Sequence, residues 1–237
     1  MTALLSVRNL SVDFGTLAAV RDVSFDIPAG ACVAIVGESG SGKSVTARTI
    51  LGLAGRDATV SGSIGFSGSD LAGTELTDAS PRHLRALRGR DIGFVSQGAL
   101  VALDPLRTVG REIADSLRIH TKLGPRQRQE RVIDLLDSVG MPEPELRAGQ
   151  RPDELSGGLR QRAVIASAIA LNPRLLIADE PTTALDATIT AGILDLLAGL
   201  RDRGTAILLI SHDLAVVSRL ASHIVVMRAG VVVESGS

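Results

Sequence analysis

The sequence has no tryptophan and no tyrosine, and only four phenylalanines among its 237 residues. Its core must therefore be packed with Val, Leu, Ile and Ala. A single cysteine, Cys32, excludes an internal disulfide framework and suits a reducing cytoplasm. No apolar run reaches the ~18 residues of a membrane span. The stretch Met1 to Leu5 shows no basic segment followed by a long apolar run, so no secretion signal is expected. An excess of one charge is missing too: 25 Lys+Arg against 26 Asp+Glu gives a net charge of −1. That excludes a chain held on nucleic-acid phosphates by bulk electrostatics. Lysine is scarce, and Lys43 and Lys122 are its two instances beside many arginines. What remains is an ordinary globular balance, 45% hydrophobic and 22% charged, with enough length for one large domain or two small ones.

The chain changes texture along its length. Leu5, Val7, Leu10, Val12 and Phe14 alternate, as do Val23, Phe25 and Ile27, so the start reads as paired strands. Ala31 to Val36 is instead a continuous apolar run, the mark of a strand buried on both faces. It ends in a Gly/Ser loop, after which Val45, Ala47, Ile50 and Leu51 suggest a helix. From about 81 to 155 the sequence is charged and helical, with Val132, Leu135, Leu136 and Val139 on one face. Two more apolar runs follow, Leu175 to Ala178 and Ala206 to Ile210, and then a closing hairpin turning at Arg228-Ala229-Gly230. The expected fold is α/β: a core from 1–80 and 156–237 with an N-terminal antiparallel β layer, and a helical insertion at about 81–155.

Gly37, Glu38, Ser39, Gly40, Ser41, Gly42, Lys43 and Ser44 fit the pattern G-x-x-x-x-G-K-[ST]. Glycines let consecutive backbone N–H groups turn inward around phosphates, and the next helix adds the positive end of its dipole. Lys43 is placed to reach the β- and γ-phosphates, and the Ser44 hydroxyl to hold Mg²⁺. Nucleoside triphosphate binding follows, without fixing the class of protein. Asp179-Glu180, at the end of an apolar run, supplies a carboxylate to orient Mg²⁺ and a second to polarise the attacking water. The stretch Leu155-Ser156-Gly157-Gly158-Leu159-Arg160-Gln161 opens another apolar helix with a hydroxyl and two glycines, a second anion-binding helix start.

In the order phosphate loop, LSGG, Asp-Glu, the chain resembles the ATPase subunits of ATP-binding cassette transporters from end to end. The resemblance implies a P-loop NTPase core of RecA-like type and assigns further residues. Gln97, after Phe94-Val95-Ser96, matches the Q-loop glutamine, a nucleotide-site and metal ligand beside Ser44 and Asp179. Thr183-Ala184-Leu185-Asp186 matches the D-loop. His212 matches the switch histidine, and Phe14 the aromatic that stacks on adenine. The runs GESGSGKSVTARTILGL, LLIADEPTTALDATI and ISHDLAVVSRLA, with Leu103-Asp104-Pro105, resemble the oligopeptide, dipeptide and nickel importer group. Members of that group often continue beyond the closing hairpin, so a truncated or fused module is expected.

The implied mechanism pairs two modules head to tail around ATP and Mg²⁺, with Ser156 and Gly158 completing the partner's site. Lys43, Gln97, Glu180 and His212 are the expected catalytic set. The implied partners are a second cassette, a membrane permease and an extracytoplasmic solute-binding protein, with no nucleic acid. The expected place is the inner face of the cell membrane. A competing reading is a cassette without a permease, acting in DNA repair or translation. The interval from Ser44 to Ser156 shows no sustained heptads for a long coiled coil, and one cassette is present rather than two. A switch GTPase is disfavoured because no N-K-x-D motif occurs. The arginines from Arg82 to Arg90 read as a solvated helix face. Cys32 reads as a core residue, and His83, His120 and His223 lack metal-ligand spacing.

Overall fold

The computed structural model describes residues 3–67, 74–98 and 102–237. Met1-Thr2, and Ala99 to Val101 after Gln97, lie outside the described residues. Two sheets carry the chain. The first is antiparallel, in the order β2-β1-β4-β5, from β1 (Ala3–Phe14), β2 (Leu17–Pro28), β4 (Ala58–Phe66) and β5 (Thr74–Glu75). The second has the order β10-β9-β3-β8-β7-β6, from β3 (Cys32–Val36), β6 (Ile92–Val95), β7 (Leu175–Asp179), β8 (Ala206–Ile210), β9 (His223–Arg228) and β10 (Val231–Gly236). Strands β9, β3, β8, β7 and β6 run parallel, and β10 closes the edge antiparallel to β9.

The three continuous apolar runs are the three central strands, and every residue of β3, β7 and β8 is buried. Both faces of this sheet are covered, which is why these strands do not alternate. One face carries Cys32, Ala34, Leu176, Ala178, Ile207 and Leu209. They pack against helices α3 (Val109–His120), α4 (Pro125–Ser138), α6 (Gly157–Ala168), α7 (Ala187–Asp202) and α8 (Leu214–Leu220). On the other face, Val33, Ile35, Ile177 and Leu208 meet α1 (Lys43–Ile50) and the antiparallel sheet through Leu5, Val7, Ile64 and Phe66. Apart from Phe25 and Phe66 on the antiparallel side, both layers are filled by aliphatic side chains, where a Leu→Ala change costs about 2–5 kcal/mol.

The stretch 81–155 is not helical throughout. It holds α2 (Pro81–Leu87), α3, α4, the short α5 (Pro144–Ala148) and a 3₁₀ turn, but it also contributes β6. That strand pairs in parallel with β7 from Ile92↔Leu175 to Val95↔Ala178, so it belongs to the core sheet. Its four residues carry too short an apolar pattern to stand out beside the charged helices around it. Arg88 also departs from a solvated face. Its guanidinium donates to the carbonyls of Leu51 (2.8 Å) and Gly52 (3.1 Å), capping the end of α1. Cys32 is fully buried, and that burial pushes its thiol up to about 12.

Candidate functional site

Parallel strands bring their C-terminal ends to one edge of the sheet, and loops after β3, β6, β7 and β8 converge there. The loop after β3 is the glycine stretch. Gly42 caps α1 at φ +98°, and a Cβ there would lie 2.6 Å from the Ala19 carbonyl, so only glycine fits. The next residue, Lys43, is 6% exposed. Its ammonium donates to the carbonyls of Gly37 and Glu38, both at 2.8 Å, and to Ser41 Oγ at 3.4 Å. The one lysine of the loop therefore sits inside it, with the charge held by backbone oxygens.

Ser44, at the start of α1, donates its hydroxyl to Asp179 Oδ1 at 2.8 Å. This single bond joins the phosphate loop to the end of β7. Asp179 is fully buried, and its other oxygen, Oδ2, has no hydrogen-bond partner. Burial raises its pKa, against the smaller opposing pull of the Ser44 hydrogen bond. A buried carboxylate oxygen without a donor calls for a cation. The oxygen donors here suit Mg²⁺, a hard ion that takes carboxylate and hydroxyl oxygens together with substrate phosphates. Among the described residues, no cluster of three or more His, Cys, Asp or Glu offers an alternative metal site.

Glu180 follows in the left-handed conformation, φ +51°, unusual for a residue other than glycine. Its N–H donates to the Ile210 carbonyl of β8 at 2.9 Å, which holds the strained backbone in place. The Glu180 side chain is 14% exposed and is surrounded by donors. Gln97 Nε2 donates to Oε2 at 3.1 Å, and Thr183 Oγ donates to the same oxygen at 2.8 Å. His212 Nδ1 lies 3.3 Å from Oε1. Lys43, Ser44, Asp179, Glu180, Gln97 and His212, scattered over 170 positions of sequence, thus form two linked clusters.

Other expected residues lie apart from these clusters. Phe14 ends β1, opposite Leu17 and Ala58, and is half-buried against the antiparallel layer. Ser156 caps α6 and accepts from the Leu159 N–H at 3.4 Å. Gly158 is buried where α6 meets α7, and a Cβ there would approach the Ile189 side chain to 2.7 Å. Its lack of a side chain has a packing reason inside this chain. Thr183 stands in the sequence reading only as the start of the D-loop match, without a role at the Glu180 carboxylate. Its place three residues after Glu180, beyond a proline, was the available signal for a turn that folds back.

The ABC transporter family profile matches residues 20–183, which span the phosphate loop, Gln97, the LSGG stretch and Asp179-Glu180. The chain belongs to the ABC transporter family. It is an ATPase cassette with ATP and Mg²⁺ as its cofactors. The oligopeptide transport ATP-binding protein OppD of Bacillus subtilis is 44% identical over 244 residues, covering all of this chain and 67% of OppD. The peptidoglycan transport ATP-binding protein YejF of Agrobacterium fabrum is 48% identical over 99% of this cassette, which spans 43% of YejF. Among solved structures, the dimeric bacterial ABC transporter cassette MJ0796 superposes with a TM-score of 0.86 at 28% identity, covering 98% of both chains. The same cassette has been solved after hydrolysis, with ADP and phosphate bound. The expected α/β P-loop fold with an antiparallel β subdomain is thereby borne out.

Proposed function

We propose that this cassette is the motor of a peptide importer, working as a nucleotide-bridged pair on a membrane permease. The observation that carries the substrate class is the 44% identity to an oligopeptide transport cassette along the entire chain. Nickel import is the second reading, motivated by the motif runs shared with that importer group. Among the described residues no helix is long and apolar enough to cross a membrane, so the translocation path belongs to other segments. An inner-face location and delivery of solute by an extracytoplasmic binding protein complete the proposal.

The residue roles proposed are those that the family resemblance implies, and the two clusters support the ones given to Lys43, Ser44, Asp179 and Glu180. Lys43 and the loop N–H groups bind the triphosphate, and Phe14 takes the adenine. Ser44, Asp179 and Gln97 would hold Mg²⁺, which would supply positive charge against the phosphates. Glu180 accepts a hydrogen bond from the attacking water, and His212 faces the γ-phosphate. Ser156 and Gly158 of the partner subunit close each site, because one loop and one lysine do not surround a triphosphate. Residues 81–155, apart from β6, form the helical subdomain that passes motion to the permease.

Light scattering on a Glu180→Gln variant with ATP and Mg²⁺ against ADP tests the pairing, and a dimer with ATP alone is expected. A monomer under both conditions would remove the paired mechanism for identical modules. Uptake of a labelled tripeptide and of nickel ions by cells lacking this chain tests the substrate. Loss of peptide uptake alone is expected, and loss of nickel uptake alone would move the assignment to the metal.

A further inference from the structure

Three segments reach the Glu180 carboxylate, and they differ in how firmly each is tied to it. Gln97 comes from the loop after β6, and His212 from the loop after β8 with a side chain 60% exposed. Thr183 belongs to Glu180's own turn. Its N–H donates to the Glu180 carbonyl at 3.3 Å, and its hydroxyl donates to Oε2 at 2.8 Å, shorter than either other contact. The turn is anchored at both ends. Glu180 N–H is bonded to Ile210 of β8, and Asp186 caps α7 by accepting from the Ile189 N–H at 2.9 Å. Oε2 is thus set by a donor fixed within four residues, while Gln97 and His212 arrive on separate loops.

We infer that Thr183 is a positioning residue for the catalytic carboxylate: its hydroxyl fixes the rotation of the Glu180 side chain and leaves Gln97 and His212 free to move. This rests on the reading of Glu180 as the group that polarises water. A hydroxyl hydrogen bond to a carboxylate is charge-assisted and directional, so it selects one side-chain rotamer of a long, flexible glutamate. The β-branched threonine has its own χ1 restricted, which keeps the donor aimed without help from neighbours. Nothing in this role requires contact with nucleotide, so affinity for ATP is not expected to depend on it. A misplacement of about 1 Å in a reacting group is enough to slow a reaction strongly.

The test compares Thr183→Val, which keeps the shape and removes the donor, with Thr183→Ser, which keeps the donor. Steady-state phosphate release, binding of a fluorescent ATP analogue, thermal melting and a crystal structure are measured for each. For Thr183→Val, kcat is expected to fall about tenfold with KM for ATP within about twofold. The melting temperature stays unchanged, and the Glu180 carboxylate turns to another rotamer in the crystal. Thr183→Ser is expected to restore kcat to within about twofold. Light scattering on Glu180→Gln/Thr183→Val against Glu180→Gln, both with ATP, is expected to show the same dimer. An unmoved carboxylate, an unchanged kcat, a loss confined to KM, or a lost dimer in the double variant each overturns the inference. If Glu180→Gln alone keeps full turnover, the reading of Glu180 has failed instead, which separates the two results.

Discussion

Two glycine-rich helix starts occur in this chain, and the structure treats them differently. The start of α1 is surrounded by Lys43, Ser44 and Asp179, with Glu180 next along the chain. The start of α6 has Ser156 capping its own helix, and Gly158 set against Ile189. Both ends carry the same partial positive charge from aligned peptide dipoles. Only the first is joined by a bond between side chains to the end of a core strand. One cassette therefore presents one built half-site and one bare helix end, a division that makes sense when the bare end serves a second copy.

The comparison breaks most sharply at Glu180. Glu180→Gln is expected to lower ATP turnover by about 10²–10⁴-fold while ATP binding persists, read by phosphate release and by fluorescent-nucleotide titration. The bare end is the next target. Ser156→Asp keeps a helix cap and places a carboxylate at the exposed helix start where the partner's phosphates are proposed to lie, and turnover should drop on the order of 10²-fold. Nucleotide binding to the monomer should stay within about twofold. Equal loss of binding by the monomer would put α6 in the same half-site as Lys43.

Smaller effects concern stability and sharpen the contrast between functional and structural carboxylates. Glu75 is held by donors from Ser63 Oγ, Ile64 N–H (2.7 Å), Thr77 N–H (3.1 Å) and Thr77 Oγ (2.8 Å). Partial burial alone would raise its pKa, but these four bonds outweigh burial and hold it below the 4.5 of a free glutamate. A depressed carboxylate pKa contributes stability at pH above the unfolded value and loses it as pH falls through the folded value. Glu75→Gln should therefore cost about 1–2 kcal/mol at pH 7 in denaturant titrations. The deficit relative to the parent should shrink below pH 4.5. Asp179 is the opposite case, its charge buried with one oxygen unpaired. Asp179→Asn should raise nucleotide-free stability by about 1 kcal/mol and abolish Mg²⁺-dependent turnover.

Much of this was legible in the sequence because the signals are local. GESGSGKS needs only its own backbone to make an anion loop, and continuous runs such as Cys32–Val36 and Ala206–Ile210 identify buried strands by apolar content alone. What escaped depends on partners distant in sequence or on backbone angles. Strand β6 is four residues long and is defined by pairing with β7, more than 80 positions away. Arg88 reads as one of several exposed arginines until α1 ends beside it. Gly158 reads as part of a phosphate-binding signature, whereas Ile189 gives it a second reason to lack a side chain. The left-handed backbone at Glu180 leaves no trace in the identity of that residue.

The sequence by itself determined the chemistry and its order along the chain: a lysine loop, an acidic strand end and a second glycine-rich helix start. Those are statements about residue types at short spacing, and short-range backbone geometry is enough to interpret them. The tertiary structure alone decided which groups meet. Parallel pairing of β3, β8, β7 and β6 in fixed register brings four strand ends to one edge. There Ser44 finds Asp179, and Glu180 finds Gln97 and His212. Hydrogen bonds of about 3 Å between residues up to 135 positions apart follow from that register and from nothing shorter in range.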